Sequence, residues 1–269
     1  MDDITRIAEA AEETDGAAPL DEGTWLALRN HPDQVRSWDR DAAFSLVIGD
    51  ELSLVVHPDS RGRGVGGELL DEVLASTEGP LSAWSHGDHP AAAALASSRG
   101  FDRVRELWVM RRPSSRPLPH LDVRPEITVR GYHPTDADEV IRVNAAAFAH
   151  HPEQGAMDAT NLAERMAEPW FDPAGLLLAV EGDRLLGFHW TKQHSPELGE
   201  VYVVGIDPTA QGRGLGKLLT LAGLHHLVGL GVEEILLYVE SNNAPAIAVY
   251  SGLGFTHADA DTHVMYRQA

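Results

Sequence analysis

The sequence predicts an α+β protein made of two tandem copies of one unit. The stretches VVHPDSRGRGVGGELL (55–70) and VGIDPTAQGRGLGKLL (204–219) share a Gly-Arg-Gly-x-Gly turn, and Pro58 and Gly64 match Pro208 and Gly214 at an offset of 150 positions. In both places an apolar strand pattern precedes the turn and a helical pattern follows it. A length of 269 residues suits two domains, each able to bury its own core.

The first half is predicted to run helix, helix, strand, strand, helix, strand, helix, strand. Alternating or continuous apolar residues indicate its strands, which are AAFSLV (42–47), ELSLVV (51–56), LSAWSH (81–86) and RELWVMRR (105–112). This half lacks an obvious opening strand. It has room for only one strand between Trp38 and residue 51, so we expect its domain to be shortened.

The clearest break in the chain is RRPSSRPLPHLDVRPE (111–126). Its four prolines forbid a regular helix and indicate an extended linker. We therefore predict a first domain at 1–112, a linker at 113–125 and a second domain at 126–269.

The second half is predicted to run strand, helix, three strands, helix, strand, helix, strand. Its first strand is ITVRG, and Thr135 with Asp138 makes a plausible N-terminal cap for the helix after it. A Gly-Asp turn between two apolar runs indicates a hairpin. The later elements are the strands or helices LLLAVE, RLLGFHWTK, EVYVVGI, GRGLGKLLTLAGLHHLVGLG, EILLYVE, NAPAIAVYSGLGF and HVMYRQ.

Composition excludes several classes of function. A formal net charge of −20 leaves no basic stripe for nucleic acid; the acidity would attract a cationic substrate or simply keep the protein in solution. No apolar run reaches the roughly 18 residues of a membrane span. The acidic N-terminus does not resemble a signal peptide, and the absence of cysteine fits a reducing compartment, so we expect a cytoplasmic protein. The histidines have no spacing typical of a metal site, so none is expected.

The glycine turn of the second half predicts an anion site. Gly212, Gly214 and Gly216 let backbone amides converge where a helix begins, and these amides sit at the positive end of the helix dipole. Arg213 adds a cation, so a pyrophosphate is the expected guest. A Walker loop would need Ser or Thr after Lys217, and the glycine spacing also differs from the dinucleotide fingerprint.

Gln211, Gly214 and Gly216 meet the pattern Gln/Arg-x-x-Gly-x-Gly/Ala, which resembles the pyrophosphate loop of the GNAT family of N-acetyltransferases. Tyr250 in AVYSGLGF is similar to the family's tyrosine near the CoA sulfur, and Asn243 to its asparagine beside the pantetheine arm. The resemblance implies two domains, each a mixed, mostly antiparallel sheet flanked by helices. It also implies acetyl-CoA as co-substrate.

The resemblance assigns acetyl-CoA contacts in both halves. In the second half they are Val204, Gly205, Ile206, Gln211, Gly212, Arg213, Gly214, Leu215, Gly216, Lys217, Asn243, Ala244, Pro245, Ala246, Ile247 and Ala248. In the first half they are Leu54, Val55, Val56, Gly62, Arg63, Gly64, Val65, Gly66 and Gly67.

Nearly the whole chain is similar to tandem members of the family that acetylate the cysteinyl amine of cysteinyl-glucosaminyl-inositol. HPEQG, GFHWTKQH and LGEVYVVGIDPTAQGRGLGKLL carry this likeness most specifically. It implies that Glu200 takes the proton of the substrate ammonium and that Tyr250 protonates the departing thiolate. The sugar–inositol substrate would be held by Glu22, Glu153, Lys192, Glu200 and Tyr238, with Glu22 reaching over from the first half.

The strand that carries Glu200 favours the same chemistry. By the two-residue period, Glu200, Tyr202, Val204 and Ile206 are expected on one face, and the Val204 amide is a candidate for stabilising the oxyanion. Gly205 is expected to mark a bulge where the strand splays. With no Gly-x-Ser-x-Gly elbow for an acyl-serine, direct transfer in a ternary complex is the simpler mechanism.

The first copy departs from the pattern at its catalytic positions. Ala96 stands where a phenol is expected, and Asp50 stands at the offset of Glu200. This copy is expected to be a structural partner that retains acetyl-CoA, and the protein is expected to be a monomer that binds no nucleic acid and no membrane. Two alternatives stay open: acetylation of another small amine or a protein N-terminus, and a catalytically silent acyl-CoA sensor.

Overall fold

The computed structural model describes residues 2–149 and 154–268. Helices and strands alternate along the chain, and they form two compact units. The first unit contains the chain up to Trp108 together with its end from Ala258, and the second contains residues 109–257. The α+β fold predicted from the sequence is confirmed.

The first half of the chain contributes four helices and five strands among the described residues. They are α1 (Asp2–Asp15), α2 (Glu22–Asn30), β1 (Val35–Arg40), β2 (Ala43–Ile48), β3 (Glu51–Val56), α3 (Val65–Ser76), β4 (Ser82–Ser85), α4 (Pro90–Ser98) and β5 (Phe101–Pro113).

The second half contributes a similar series, and residues 117–124 between the halves have no regular structure. Its elements are β6 (Thr128–Gly131), α5 (Ala137–Ala147), α6 (Ala159–Met166), β7 (Leu176–Glu181), β8 (Arg184–Gln193), β9 (Leu198–Ile206), α7 (Leu215–Leu230), β10 (Glu234–Glu240), α8 (Ala244–Gly252) and β11 (Thr256–Gln268).

Strand pairing follows one plan in both units. In the first unit β1, β2 and β3 pair antiparallel, β3 pairs parallel with β4, and β4 pairs antiparallel with β11. In the second unit β6, β7, β8 and β9 pair antiparallel, and β9 pairs parallel with β10. Each unit therefore has a mixed, mostly antiparallel sheet.

The compact units do not coincide with the predicted domain boundaries. Residues 109–113 of β5 belong to the second unit, where β5 lies beside β10, and β11 from Ala258 onward belongs to the first unit, where it pairs with β4. The last strand of the second half is therefore mostly part of the first unit, and the end of the last strand of the first half is part of the second unit. The domain boundaries at 112 and 126 stay a prediction, because they mark where the sequence repeat begins and ends. Sequence patterns do not report which sheet a terminal strand joins.

The first half is less shortened than the sequence suggests. Between Trp38 and β3 the chain forms one further complete strand, β2, as expected. The strand expected to be missing is nevertheless present, because VRSWDR, which includes Trp38, forms β1 and pairs along its length with β2. Four of its six residues are exposed, so it shows little apolar alternation. The first unit does lack an opening strand, since the described residues before Val35 form two helices and a short 3-10 turn.

Two details of the second half also differ from expectation. Helix α6 was missed because only Leu162 of its eight residues is buried, which leaves a weak apolar signal. The expected cap of α5 by Thr135 and Asp138 was wrong. A 3-10 turn precedes α5, and there the Asp136 carboxylate accepts a hydrogen bond from the His133 amide at 2.8 Å.

A bulge in β9 changes which side chains share a face. Trp190 pairs with Val203 and Thr191 with Val201, so Tyr202 is the extra residue and the alternation reverses there. Glu200, opposite Lys192, therefore lies on the face of Trp190, whereas Val204, opposite His189, lies on the other face. The expectation of one shared face, and of a bulge at Gly205, was wrong.

Gly205 has a packing reason instead. A Cβ there would lie 2.6 Å from Cε1 of Phe188, which is buried in the core against α5 and α6. The opposite face of the same sheet packs Leu186 against Leu219 of α7. The functional strand β9 is thus held between two apolar layers. No helix within the described ranges is long and apolar enough to cross a membrane.

Candidate active site

The glycine turn of the second unit connects β9 to α7 and leaves space beside it. Gly212 and Gly214 have φ values of 76° and 78°, a region that favours glycine. A Cβ added at either position would meet nothing within 4 Å. The first backbone amides of α7 have no intrahelical partner, so the turn offers an open anion site at a helix N-terminus.

Arg213 in this turn does not stand free for a phosphate. Its guanidinium donates two hydrogen bonds to the Glu181 carboxylate, at 2.6 and 3.3 Å. Glu181 ends β7, so the pair ties the turn to the neighbouring hairpin and raises the pKa of Arg213. The Arg213 guanidinium is thus already paired, and the backbone amides that begin α7 are the donors expected to receive an anion.

Strands β9 and β10 separate beside this turn. Their parallel pairing runs from Leu198 opposite Glu234 to Val201 opposite Leu237 and stops there. Beyond Val201 the β9 edge, which includes Val204, Gly205 and Ile206, is not used by β10. Free backbone groups at a parallel splay are suitable partners for the amides and the carbonyl of an extended acyl-thioester.

Glu200, Lys192 and Tyr238 lie on one face of three neighbouring strands. Lys192 on β8 is paired with Glu200 on β9, which is paired with Leu236 on β10, two residues before Tyr238. Glu200 is 5% exposed, whereas Tyr238 is 44% exposed. The three residues predicted to hold the acceptor are therefore brought together by the sheet.

Lys192 is positioned by aromatic rings on this face. Its Nζ lies 4.8 Å from the ring centroid of Trp170 and 5.3 Å from that of Tyr202. The Tyr202 hydroxyl accepts a hydrogen bond from Arg165 of α6 at 3.0 Å. Cation–π contacts of this kind hold an ammonium group in position. The two rings therefore locate the Lys192 ammonium on the strand next to that of Glu200.

Glu200 has a partner that the sequence did not predict. His194 Nε2 lies 2.6 Å from Glu200 Oε2. The two residues belong to one hairpin, because His194 stands opposite Leu198 and Glu200 follows two positions later. Only the register of this hairpin identifies the pair, and the spacing of six residues carries no signal by itself.

Tyr250 lies in α8, directly after the splayed strand β10. Its ring contacts Phe255 edge-on at 6.1 Å between centroids. Burial raises the pKa of the phenol to about 12. The hydroxyl therefore keeps its proton at neutral pH and is a donor there.

Asn243 begins α8. Its side-chain oxygen accepts a hydrogen bond from the Ala246 amide at 3.2 Å, which caps the helix. The predicted acetyl-CoA residues 243–248 therefore form the N-terminal turn of α8. The cap occupies the oxygen of Asn243, so its amide nitrogen is the group that can donate to a ligand.

The two remaining predicted substrate residues cannot be placed beside Glu200. Glu22 is the first residue of α2 in the first unit, and its contact with the acceptor stays a prediction. Glu153 lies outside the described residues.

The first unit contains a cavity of about 390 Å³ at its own glycine turn. It is bounded by the splay of β3 and β4, whose pairing stops at Leu52 opposite Ala83. Every acetyl-CoA residue predicted in this half lines the cavity except Arg63. Arg61 also lines it and is paired with Asp15 at 2.6 and 2.8 Å.

The catalytic positions of the first copy are not equipped for transfer. Ala96 lines the cavity where a phenol is expected. Asp50 is exposed and lies 3.3 Å from Arg267 of β11, in contrast to the buried Glu200. Among residues 2–149 and 154–268, no three metal-ligating side chains are grouped together.

Comparison with known proteins places this geometry in a family. The profile of the acetyltransferase (GNAT) family matches residues 144–255. The chain is 66% identical to a mycothiol acetyltransferase of Nocardioides sp., over 98% of this chain and 96% of that protein. It is 49% identical to a mycothiol acetyltransferase of Actinosynnema mirum, over 97% and 93%.

Solved structures show the same fold over the whole chain. A tandem GNAT protein from the clavulanic acid biosynthesis pathway has a TM-score of 0.70 at 19% identity and covers 99% of this chain and 93% of its own. An N-acetyltransferase from Sphaerobacter thermophilus has a TM-score of 0.68 at 22% identity, with coverage of 99% and 91%. At these identities the likeness concerns the fold alone.

Proposed function

The chain belongs to the mycothiol acetyltransferases of the GNAT family, and from this premise we propose how its residues perform the reaction. The enzyme transfers the acetyl group of acetyl-CoA to the cysteinyl amine of cysteinyl-glucosaminyl-inositol, the last step of mycothiol biosynthesis. We assign the transfer to the second unit.

One observation carries this assignment. The buried carboxylate of Glu200 lies on one face with Lys192 and Tyr238, beside the splay of β9 and β10. A carboxylate held in an apolar sheet, next to exposed polar side chains and an open strand edge, suits an amine that must lose a proton before it attacks. Among the described residues of the first unit, the equivalent position holds the exposed Asp50.

The proposed reaction is direct transfer in a ternary complex. Glu200 accepts one proton from the substrate ammonium, through water. The neutral amine then attacks the thioester carbonyl, and the backbone amide of Val204 stabilises the oxyanion. Collapse breaks the C–S bond as the amide forms. The second amine proton passes to the departing thiolate and Glu200 releases the first to solvent, so one amide, one thiol and one released proton balance each turnover.

Tyr250 acts on the leaving group. A free thiol has a pKa of about 8.5, which lies well below the value of about 12 that burial gives this phenol. Complete proton transfer from Tyr250 to a free thiolate is therefore uphill. We infer that Tyr250 donates a hydrogen bond as the C–S bond lengthens, and that any proton it gives is replaced within the same step.

The pyrophosphate of acetyl-CoA would bind the amides of Gln211 to Lys217, and the pantetheine arm would run between β9 and the start of α8. In this proposal acetyl-CoA supplies the activated acyl group, and residues of the protein supply the base and the hydrogen-bond donors. The first unit, with its cavity and without a base or phenol, would bind a second acetyl-CoA that does not turn over. A cytoplasmic location and a monomeric state are part of this proposal.

The test compares acceptors that differ only at the proposed amine. Purified protein is incubated with acetyl-CoA and either cysteinyl-glucosaminyl-inositol, glucosaminyl-inositol without the cysteine, or a panel of small amines and peptide N-termini. Mass spectrometry reads the acetylated product, because the acceptor's own thiol interferes with thiol reagents. We expect product from the cysteinyl substrate alone, and loss of it in Glu200→Gln.

Other outcomes identify the alternatives. Faster acetylation of a different amine would show that this amine is the acceptor, and the proposed mechanism would still apply to it. Tight binding of acetyl-CoA with no product from any amine would favour the silent sensor.

A further inference from the structure

His194 is the one hydrogen-bond partner of the Glu200 side chain among the residues described here. Its Nε2 lies 2.6 Å from Glu200 Oε2. The carboxylate is 5% exposed, whereas the histidine side chain is 34% exposed. A buried base with a single partner, itself at the solvent edge, depends on that partner for its orientation and for its charge environment.

The hairpin holds this histidine in place. The His194 amide donates to the Leu198 carbonyl at 2.9 Å, and Ser195 and Leu198 exchange two longer backbone hydrogen bonds at 3.3 Å. The Ser195 hydroxyl is bonded to Glu197. Backbone hydrogen bonds therefore close the turn that joins β8 to β9. The closed turn holds the His194 imidazole against the Glu200 side chain.

We propose that His194 is a positioning residue for the general base, and that it acts as an N–H donor to the Glu200 carboxylate. An ionised carboxylate only accepts hydrogen bonds, so the hydrogen resides on Nε2. The bond holds Oε2 and turns Oε1 toward the acceptor amine. This inference rests on the proposed role of Glu200.

The experiment measures kcat, the KM for acetyl-CoA and the Tm of the full chain with two substitutions. His194→Ala removes the donor, and we expect kcat to fall about 10- to 100-fold as the carboxylate loses its orientation. The KM for acetyl-CoA and the Tm should stay near those of the wild type. His194→Gln keeps a neutral N–H donor and should recover most of kcat at pH 8.

Rescue by glutamine separates positioning from a structural role, because glutamine restores the N–H donor, whereas a purely structural loss would lower the Tm and the acetyl-CoA affinity as well. The control is His225→Ala, which removes an exposed histidine whose Nε2 contacts the Pro119 carbonyl; it should leave all three quantities unchanged.

Three results would overturn the proposal. One is a kcat of His194→Ala within twofold of wild type. Another is a glutamine variant whose kcat is no higher than that of the alanine variant. The third is a parallel loss of Tm and acetyl-CoA affinity in His194→Ala. Since all comparisons are made to a wild type that turns over, failure here is distinct from failure of the proposed function, in which wild type gives no product.

Discussion

Tyr250 illustrates how the surroundings of one side chain set its chemistry. The phenol is packed on α8 against Phe255, and burial raises its pKa to about 12. The charged form is disfavoured because a buried anion loses its hydration. The hydroxyl is therefore protonated at every pH at which the enzyme is expected to work, and its charge contributes no limb to a pH–rate profile between pH 6 and 10.

We expect Tyr250→Phe to lower kcat about 10- to 100-fold with little change in the KM for acetyl-CoA. The hydroxyl is needed as the thiolate leaves, so its loss affects the transition state more than the bound ground state. Steady-state kinetics at saturating acceptor checks this, with Tyr132→Phe as control because Tyr132 lies in the core against α5. Equal kcat in Tyr250→Phe and wild type would exclude the proposed role.

The sequence predicts these residues unequally. Glu200 and Tyr250 follow from the family motif, because the motif states which residue types stand at fixed distances from the glycine turn. The His194 contact with Glu200, the pairing of Arg213 with Glu181 and the aromatic rings under Lys192 do not follow from it. Each is a contact of a strand residue with a turn, a loop or a neighbouring strand, and it depends on a strand register that local patterns leave open.

At the scale of elements, β8 and α7 meet around a buried histidine. His189 is fully buried, and its Nδ1–H donates to the Leu219 carbonyl at 2.8 Å. The helix comes close because residue 223 is glycine, where a Cβ would lie 2.0 Å from Cε1 of the ring. Burial lowers the pKa of His189 to about 4, so the folded state keeps this ring neutral.

Stability should therefore decrease on acidification. Below the ordinary histidine pKa of about 6.5, the unfolded chain gains a proton at this position while the folded chain does not. The stability that neutral His189 contributes is complete above pH 6.5 and is lost progressively between pH 6.5 and 4. From pH 7.5 to 5.5 we expect about 1 kcal/mol of loss from this residue.

Denaturant unfolding at pH 7.5 and 5.5 measures this loss, and the range stays above the sequence pI of about 4.9. His189→Asn keeps an N–H donor for the Leu219 carbonyl and does not titrate. Its free energy of unfolding should fall by about 1 kcal/mol less than that of wild type over the same interval. Equal losses in the two proteins would mean that His189 is protonated in the folded state.

Element prediction succeeded where a helix or strand has a strong apolar period. Strands β7 to β10 and helix α7 are read directly from the sequence, because each buries a continuous apolar face. Helix α6 and strand β1 were missed because they bury few residues. The bulge at Tyr202 was also missed, since an inserted residue changes the face of its neighbours without changing their identity.

At the scale of the whole molecule, the two units share one strand arrangement but differ in the residues at the candidate catalytic positions. Both units have a parallel pair that splays beside a glycine turn, after Leu52 in the first and after Val201 in the second. At the two positions to which we assign the transfer, the second unit has the buried Glu200 and Tyr250, and the first has Asp50 and Ala96. The end of β5, from Val109, belongs to the second unit, and most of β11 belongs to the first. The sequence repeat could not reveal this, because an offset of 150 positions between two motifs does not report which strands pair.

The two turns allow a matched pair of substitutions. Gly64 and Gly214 have φ values of 86° and 78°, and a Cβ at either meets nothing within 4 Å. Aspartate tolerates this backbone region better than most residues, so Gly64→Asp and Gly214→Asp place a carboxylate in each anion site with the same local strain. A like-charge contact with pyrophosphate costs several kcal/mol, and each 1.4 kcal/mol is tenfold in Kd.

The two variants should then have unequal effects. Gly214→Asp should raise the KM for acetyl-CoA at least tenfold, because it opposes the cofactor of the unit that turns over. Gly64→Asp should leave that KM nearly unchanged and remove one of two acetyl-CoA molecules counted by native mass spectrometry or calorimetry. A wild type that binds only one acetyl-CoA would show that the first cavity does not hold this ligand. Loss of turnover in Gly64→Asp with normal turnover in Gly214→Asp would assign catalysis to the first unit, against the buried base on β9.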